Sequence, residues 1–254
     1  ALAIPRVSQG LKDAPRCLSG ASNYLIDAYI PIPGPASLSL STPPETDGRN
    51  AVAQEAKPYH KGNVPALLMA AAERVLQTEN VEDVSARRLC REVGVTSANF
   101  YNHYPSLDYL LLEIAAKYFE GRTRERRRLL KRRLPREEAM IVAAQSMVEF
   151  GIRHPQILRL TFGQIRDPSI NPNFVRASDE GFRILVQIVQ GEDVYTPDDL
   201  ELAHRRCQPT YGFMAFMYGV AYLLTREVIA NPEGTRAARR RFVEDLTRSV
   251  IRGV

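Results

Sequence analysis

From Ser85 to the C-terminus, apolar residues recur every three or four positions, the spacing that lines one face of an α-helix. Leu89 and Val93, with Ala86 and Cys90 beside them, give one stripe on a short helix. Ser85 is placed to cap its start, and Gly94 to end it in the left-handed conformation that costs glycine nothing. Arg88 stands where a capping box would need Glu. Thr96 caps a second short helix, on which Phe100 and Tyr104 share one side. Ser106 opens a longer helix through Leu110, Leu111, Ile114, Ala115 and Tyr118. The next begins near Pro135, carries Met140, Ile141, Ala144, Met147, Val148 and Ile152, and stops at His154-Pro155, because the residue before proline disfavours α. A short helix follows over Ile157, Leu158, Leu160 and Phe162. Asn171-Pro172 begins another, with Val175, Phe182, Leu185, Val186 and Val189. Pro197 and Asp198 open a long helix to about Val228, Asn231-Pro232 breaks it, and a last helix runs to about Arg252. No stretch reads as a convincing strand and no repeat is visible, so the pattern predicts an all-α fold.

The helix–Gly94–helix corner has the turn length that sets two helices roughly perpendicular, as in helix-turn-helix readers of DNA. At about 100° per residue, Ala98 and Asn102 lie opposite Phe100 and Tyr104 and would point into a groove. Ser97 and Tyr101 flank one edge; Asn99 and His103 flank the other. Flanking hydroxyl and imidazole groups face the phosphate walls. Asn102 can pair with an adenine edge, and Ala98 can touch a thymine methyl. The helix has no Lys or Arg, so its phosphate grip is expected to be modest. The same corner also occurs in helical proteins that never meet DNA.

Composition narrows the class. A length of 254 residues allows one or two domains. A hydrophobic share of 44% supports real cores, and a net charge of +5 permits nucleic acid without requiring it. Cys17, Cys90 and Cys207 are odd in number and scattered, which argues against a disulfide framework or a metal site. Residues 1–56 carry Pro31, Pro33, Pro35, Pro43 and Pro44 among Ser, Thr and Gly, and read as a flexible extension that is not a secretory signal. Nine basic residues lie between Arg122 and Arg136 against Glu125 alone, either a solvated face or an electrostatic aid to DNA association. The uncharged span Cys207–Thr225 contains Pro209, Gly212 and Gly219, and its short apolar centre favours a core helix over a membrane span. His60, His103, His154 and His204 are far apart, and no Glu-x-x-His pair or nucleophile motif appears, so no catalytic residues, metal or cofactor are expected.

From about Tyr59 to Tyr118 the chain resembles the tetracycline-repressor-like (TetR) family of bacterial transcriptional regulators. The resemblance rests on a first helix from Pro65 to Leu76, on the helix-turn-helix, and on Phe100-Tyr101-Asn-His103-Tyr104, which is similar to the family's Leu-Tyr-x-His-Phe signature. Leu107 stands where the family usually has a phosphate-holding Lys. The resemblance implies Thr96, Tyr101 and His103 as phosphate contacts, Ser97, Ala98 and Asn102 as base-facing positions, and Ser85 as a phosphate donor. Lys61 and Lys57 resemble the basic arm before the first helix. It implies a DNA-binding domain over residues 57–105 and a helical ligand-binding and dimerisation domain over 106–254. Arg153–Gly163 and Phe216-Met-Tyr218-Gly219 look like a subgroup with a His-Pro…Phe-Gly segment and a Trp-x-His-Gly signature. The last two long helices, about 198–228 and 234–252, would pair with their twins in a homodimer. A symmetric pair would read a palindromic operator on double-stranded DNA. Met147, Phe150, Phe162, Phe182, Tyr211, Met214 and Tyr218 could line an apolar cavity for a small lipophilic effector, with ordinary core packing as the alternative. The expected protein is a cytoplasmic, ligand-responsive repressor rather than an enzyme. A helical adaptor or small-molecule binder that has lost specific DNA binding is the competing reading.

Overall fold

A computed structural model describes residues 63–161, 165, 167–196, 199–229 and 235–252. Among these the chain is all-α, with no strand. The proline-rich extension, Lys57, Lys61 and Phe162 lie outside the described residues.

The N-terminal unit is three helices: α1 (Val64–Thr78), α2 (Ala86–Val93) and α3 (Ser97–His103). A 3-10 turn, Val81–Asp83, joins α1 to α2. Each short helix is capped locally. Ser85 Oγ accepts from Arg88 N at 3.3 Å, and Thr96 Oγ1 accepts from Asn99 N at 3.2 Å. Gly94 turns the corner with φ 78°, the region that costs a side chain about 1 kcal/mol or more. Leu68, Leu89 and Phe100 are completely buried where the three helices meet. Tyr104 is buried beside them, and its hydroxyl donates to the carbonyl of Pro65 at 3.0 Å, tying the end of α3 to the start of α1.

Ser106 caps α4 (Leu107–Lys131) by accepting from Tyr109 N at 3.0 Å. The helix is 25 residues long, about 37 Å at 1.5 Å per residue. Its first turns pack under the three-helix unit, and the remainder runs into the second half of the molecule. That half comprises α5 (Arg136–Arg153), α6 (Pro155–Arg159), α7 (Pro172–Gln190), α8 (Leu200–Arg206), α9 (Gln208–Thr225) and α10 (Arg236–Arg252). Helix α7 lies along α4, while α9 and α10 both lie on α5. Gly151 permits the close approach of α5 and α9: a Cβ there would sit 3.2 Å from the Ala221 Cβ and 3.0 Å from Leu158 Cδ2. Helix α10 is anchored by ions. Arg239 reaches Glu149 Oε1 at 2.9 Å, both groups buried, and Arg236 reaches the other oxygen at 3.2 Å.

The long helix expected from Pro197 to Val228 is two helices. Pro209 has no N–H and restricts the residue before it, so the chain breaks at Cys207 and restarts with Pro209 in the first turn of α9. Helix α9 is also buried on one side only: Phe213, Met217 and Leu224 face inward, while Gly212, Ala215, Gly219 and Tyr222 are exposed. Among the described residues no helix is long and apolar enough to cross a membrane.

A Cβ at position 94 would meet no neighbouring atom within 4 Å, so a substitution there tests backbone conformation alone. Gly94→Ala is expected to lower unfolding free energy by about 1 kcal/mol, measured by urea denaturation, with no change in the m-value.

Candidate functional site

The outward face of α3 is set by what the helix buries. Phe100 and Tyr104 lock one side of the helix into the core. Ser97, Ala98, Tyr101, Asn102 and His103 are thereby left exposed together, and Thr96 stands exposed at the helix start. Tyr101 projects furthest, at 57% exposure, with its ring edge-on to Phe100 at 5.2 Å. Asn99 is half-buried and does not mirror His103 on an open edge. Ser97 is exposed, and the Cys90 thiol behind the corner donates to the Thr96 carbonyl at 3.6 Å. Burial raises the pKa of that thiol, and Cys90 packs as a small core residue.

The two caps have a chemical consequence. A hydroxyl has one donor and two acceptor sites. Ser85 and Thr96 spend an acceptor site on the helix amide, which leaves the O–H to donate outward. A phosphate oxygen accepts only, so both exposed caps match it. Leu107 is half-buried against the core and offers no charge at the start of α4.

Sequence reasoning missed two cations. Arg87 and Arg91 are exposed one turn apart on α2 and make no ion pair among the described residues. Their neighbours are neutralised: Arg74 pairs with Glu92 and Arg88 with Glu79. The signal was present in the i,i+4 spacing on a helix whose Leu89 and Cys90 point inward.

The basic run from Arg122 to Arg136 is not one solvated face. Arg122 and Arg126 are buried, at 7% and 6% exposure. They continue the inward row of α4 through Ile114, Tyr118 and on to Leu129. Arg122 donates to the Ser146 carbonyl at 3.2 Å and lies over the Phe150 ring at 4.8 Å. Arg126 donates to the Gly181 carbonyl at 3.2 Å and bonds the Tyr218 side chain. Neither touches a carboxylate, and the Nε of each is buried with no hydrogen-bond partner among the described residues. Burial, with the Arg126 charge adding to it, pushes the pKa of Arg122 down to about 10, so it remains charged at neutral pH. An unpaired buried ion costs several kcal/mol, which the carbonyls and the ring offset only in part.

The residues expected to line one apolar pocket are divided. Met147 and Phe150 sit in the main core, and Phe182 in a second cluster with Tyr211 against it. Met214 touches both clusters, and Tyr218 faces Arg126. Two cavities on this half are instead lined largely by charged side chains. One, of about 220 Å³, lies between α4 and α5 and has Arg122, Arg126, Arg132, Glu125, Leu129 and Val142 in its wall. The other is an open groove of about 880 Å³ between α4 and α7, with Thr123, Arg127, Asp179, Arg183 and Tyr195 in its wall. Arg127 is paired with Glu180, and Arg183 with Asp193 at 2.7 Å. Asp179 Oδ1 is buried without a partner among the described residues, and burial pushes its carboxyl up to about 6.

Residues 68–114 match the bacterial regulatory proteins of the tetR family. The N-terminal unit of this chain is therefore similar to a tetR-family domain. The matched segment runs from the middle of α1 into α4 and contains the whole helix-turn-helix. Among solved structures, a protein of unknown function from Rhodococcus sp. RHA1 shares 24% identity, covers 78% of this chain and 99% of its own, and has a TM-score of 0.59. RolR in complex with the ligand resorcinol shares 15% identity, covers 74% of this chain and 86% of its own, with a TM-score of 0.47. None of the curated proteins matches the chain.

Because its pKa is raised, Asp179 holds a proton in the folded state at pH values where the unfolded chain has lost it. The folded protein is then penalised as pH rises from about 4 to 6. Asp179→Asn is expected to melt higher than the parent at pH 7, with the difference vanishing near pH 4, in paired thermal melts.

Proposed function

We propose that the chain is a sequence-specific DNA-binding transcriptional regulator, a ligand-responsive repressor that acts as a homodimer on a palindromic operator. The observation that carries this reading is the outward face of α3. Ala98 and Asn102 are exposed at its centre, with hydroxyl and imidazole donors around them and the tetR-type domain supplying the frame. Asn102 takes an adenine edge and Ala98 a thymine methyl, with Ser97 beside them. Thr96, Tyr101, His103 and Ser85 hold phosphates, joined by Arg87 and Arg91 from α2. Lys61 belongs to the same proposal as part of an arm before α1.

One short helix reads only a few base pairs, so two copies are needed for a unique site. Helix α9 supports the pairing. Gly212, Ala215, Gly219 and Tyr222 form an exposed, uncharged row at three- and four-residue spacing. A Cβ at either glycine would meet nothing within 4 Å, which leaves room for a second helix to approach. On α10, Phe242 and Leu246 are only half-buried and extend that face. Residues 63–105 serve as the reading head and the helices from α4 onward as the regulatory and dimerisation half. The likeness of Phe216–Gly219 to the Trp-x-His-Gly signature belongs to this reading, as does an effector held in the regulatory half. The effector shifts DNA affinity only by its differential affinity for the two arrangements of the dimer.

Selection from a random duplex pool tests the proposal. It should return a two-fold symmetric sequence, and chromatography with light scattering should give twice the chain mass. Asn102→Ala should then weaken operator binding by about 1–3 kcal/mol and relax one position in each half-site. Arg91→Ala should weaken all duplexes alike and reduce the salt slope by about one. Failure to enrich any sequence would leave the adaptor reading in its place.

A further inference from the structure

The cavity between α4 and α5 combines four arginines with one glutamate: Arg122, Arg126, Arg128 and Arg132 against Glu125. Two of those arginines are buried, and each retains an Nε–H with no acceptor among the described residues. Glu125, the carboxylate whose charge reaches both, is exposed and accepts from Ser146 Oγ at 3.3 Å. Guanidinium groups are built for planar oxyanions, which accept two parallel N–H bonds. The rest of the wall is different in kind: Leu129, Val142 and Ala143 present hydrocarbon. A bare inorganic anion would leave that surface unused, and a neutral apolar molecule would leave the cations uncompensated.

We infer that this cavity binds a small organic carboxylate, its oxygens shared by Arg122 and Arg126 and its apolar body against Leu129, Val142 and Ala143. The size fits. A cavity of about 150 Å³ accommodates benzene, and this one, at about 220 Å³, has room for a one-ring acid. One carboxylate matches the two buried guanidiniums, and Glu125 lies beside the outer pair, so the class is the monocarboxylates. The site also links three elements of the regulatory half. Arg122 is bonded to α5, and Arg126 to α7 and, through Tyr218, to α9. An anion that draws the two guanidiniums together acts on all three contacts. The identification of the ligand as effector rests on the regulator reading above; the binding itself does not.

The test is thermal melting and titration calorimetry on the full chain with benzoate, cyclohexanecarboxylate and hexanoate, alongside benzamide as the neutral isostere of benzoate, and inorganic phosphate. At least one acid should raise the melting temperature by about 5 °C at a hundredfold excess over its Kd, while benzamide should not. Arg126→Met should melt no lower than the parent without ligand, because it removes a buried unpaired charge, and should bind the acid at least tenfold more weakly. If Arg126→Met does not fold, Arg122→Lys is used, which keeps the charge and should still weaken the acid tenfold. Equal effects of benzoate and benzamide, binding of phosphate alone, or no binding by any acid would each overturn the assignment. An acid that binds as expected but leaves operator affinity unchanged upholds the site and removes ligand responsiveness from the regulator reading. Loss of operator binding by protein that still binds the acid counts against the reading head alone.

Discussion

One uninterrupted rod, α4, orients both halves of the molecule. At its N-terminal end Leu110, Leu111 and Ile114 complete the core beneath the three short helices. At the other end the same face carries Arg122 and Arg126 into the packing of α5, α7 and α9. A helix without an internal proline curves gently but does not kink sharply to relieve a local misfit. The position of the reading face and the state of the buried charges are therefore set along a single axis. The aliphatic burial holds this helix in place, and the stability it supplies allows two guanidiniums to be kept out of water.

The exposed face of α3 offers neutral hydrogen-bonding groups in place of charge. Helix α3 has no lysine or arginine, and the exposed arginines nearest to it in sequence are Arg91 and Arg87. Arg74 and Arg88 have their charge engaged by glutamates. Contacts of this kind depend on placement more than on field strength, since a hydroxyl or amide must come within about 3 Å of its acceptor. The capping bonds that start α2 and α3 fix Ser85 and Thr96 at the same time, so the two hydroxyls that initiate the helices are held with their O–H groups free to donate outward.

How much of this could be read in the chain depended on the range of the interactions. The helix-turn-helix was legible because each signal is local: Ser85 and Thr96 cap within three residues, Gly94 turns on its own backbone, and Phe100 and Tyr104 are one turn apart. Ser106 and Asn171 announced their helices for the same reason. The break at Cys207 was missed, although Pro209 carried the signal, because the uncharged sequence around it suggests continuity. The burial of Arg122 and Arg126 was hidden by composition: a basic run suggests solvent, and only extending the period of Ile114 and Tyr118 along α4 places them inward. The division of Met147, Phe150, Phe182 and Tyr211 between two clusters arises from how α5, α7 and α9 cross, which no local pattern records.

The seam between the two halves adds polar bonds at the surface to a continuous apolar core. Gln156 of α6 accepts from Val81 N at 3.2 Å and donates to Asn80 Oδ1 at 3.3 Å, and Arg159 pairs with Glu82 across the same joint. These are polar bonds near the surface, and water can replace each of them at little net cost. Beneath them Val81, Ile157 and Leu158 are buried in the same core, so sliding α6 against the Val81–Asp83 turn would expose hydrocarbon as well. The joint is therefore stitched twice, by polar bonds at the surface and by hydrocarbon beneath, so any displacement of α6 is passed on to the turn that leads into α2.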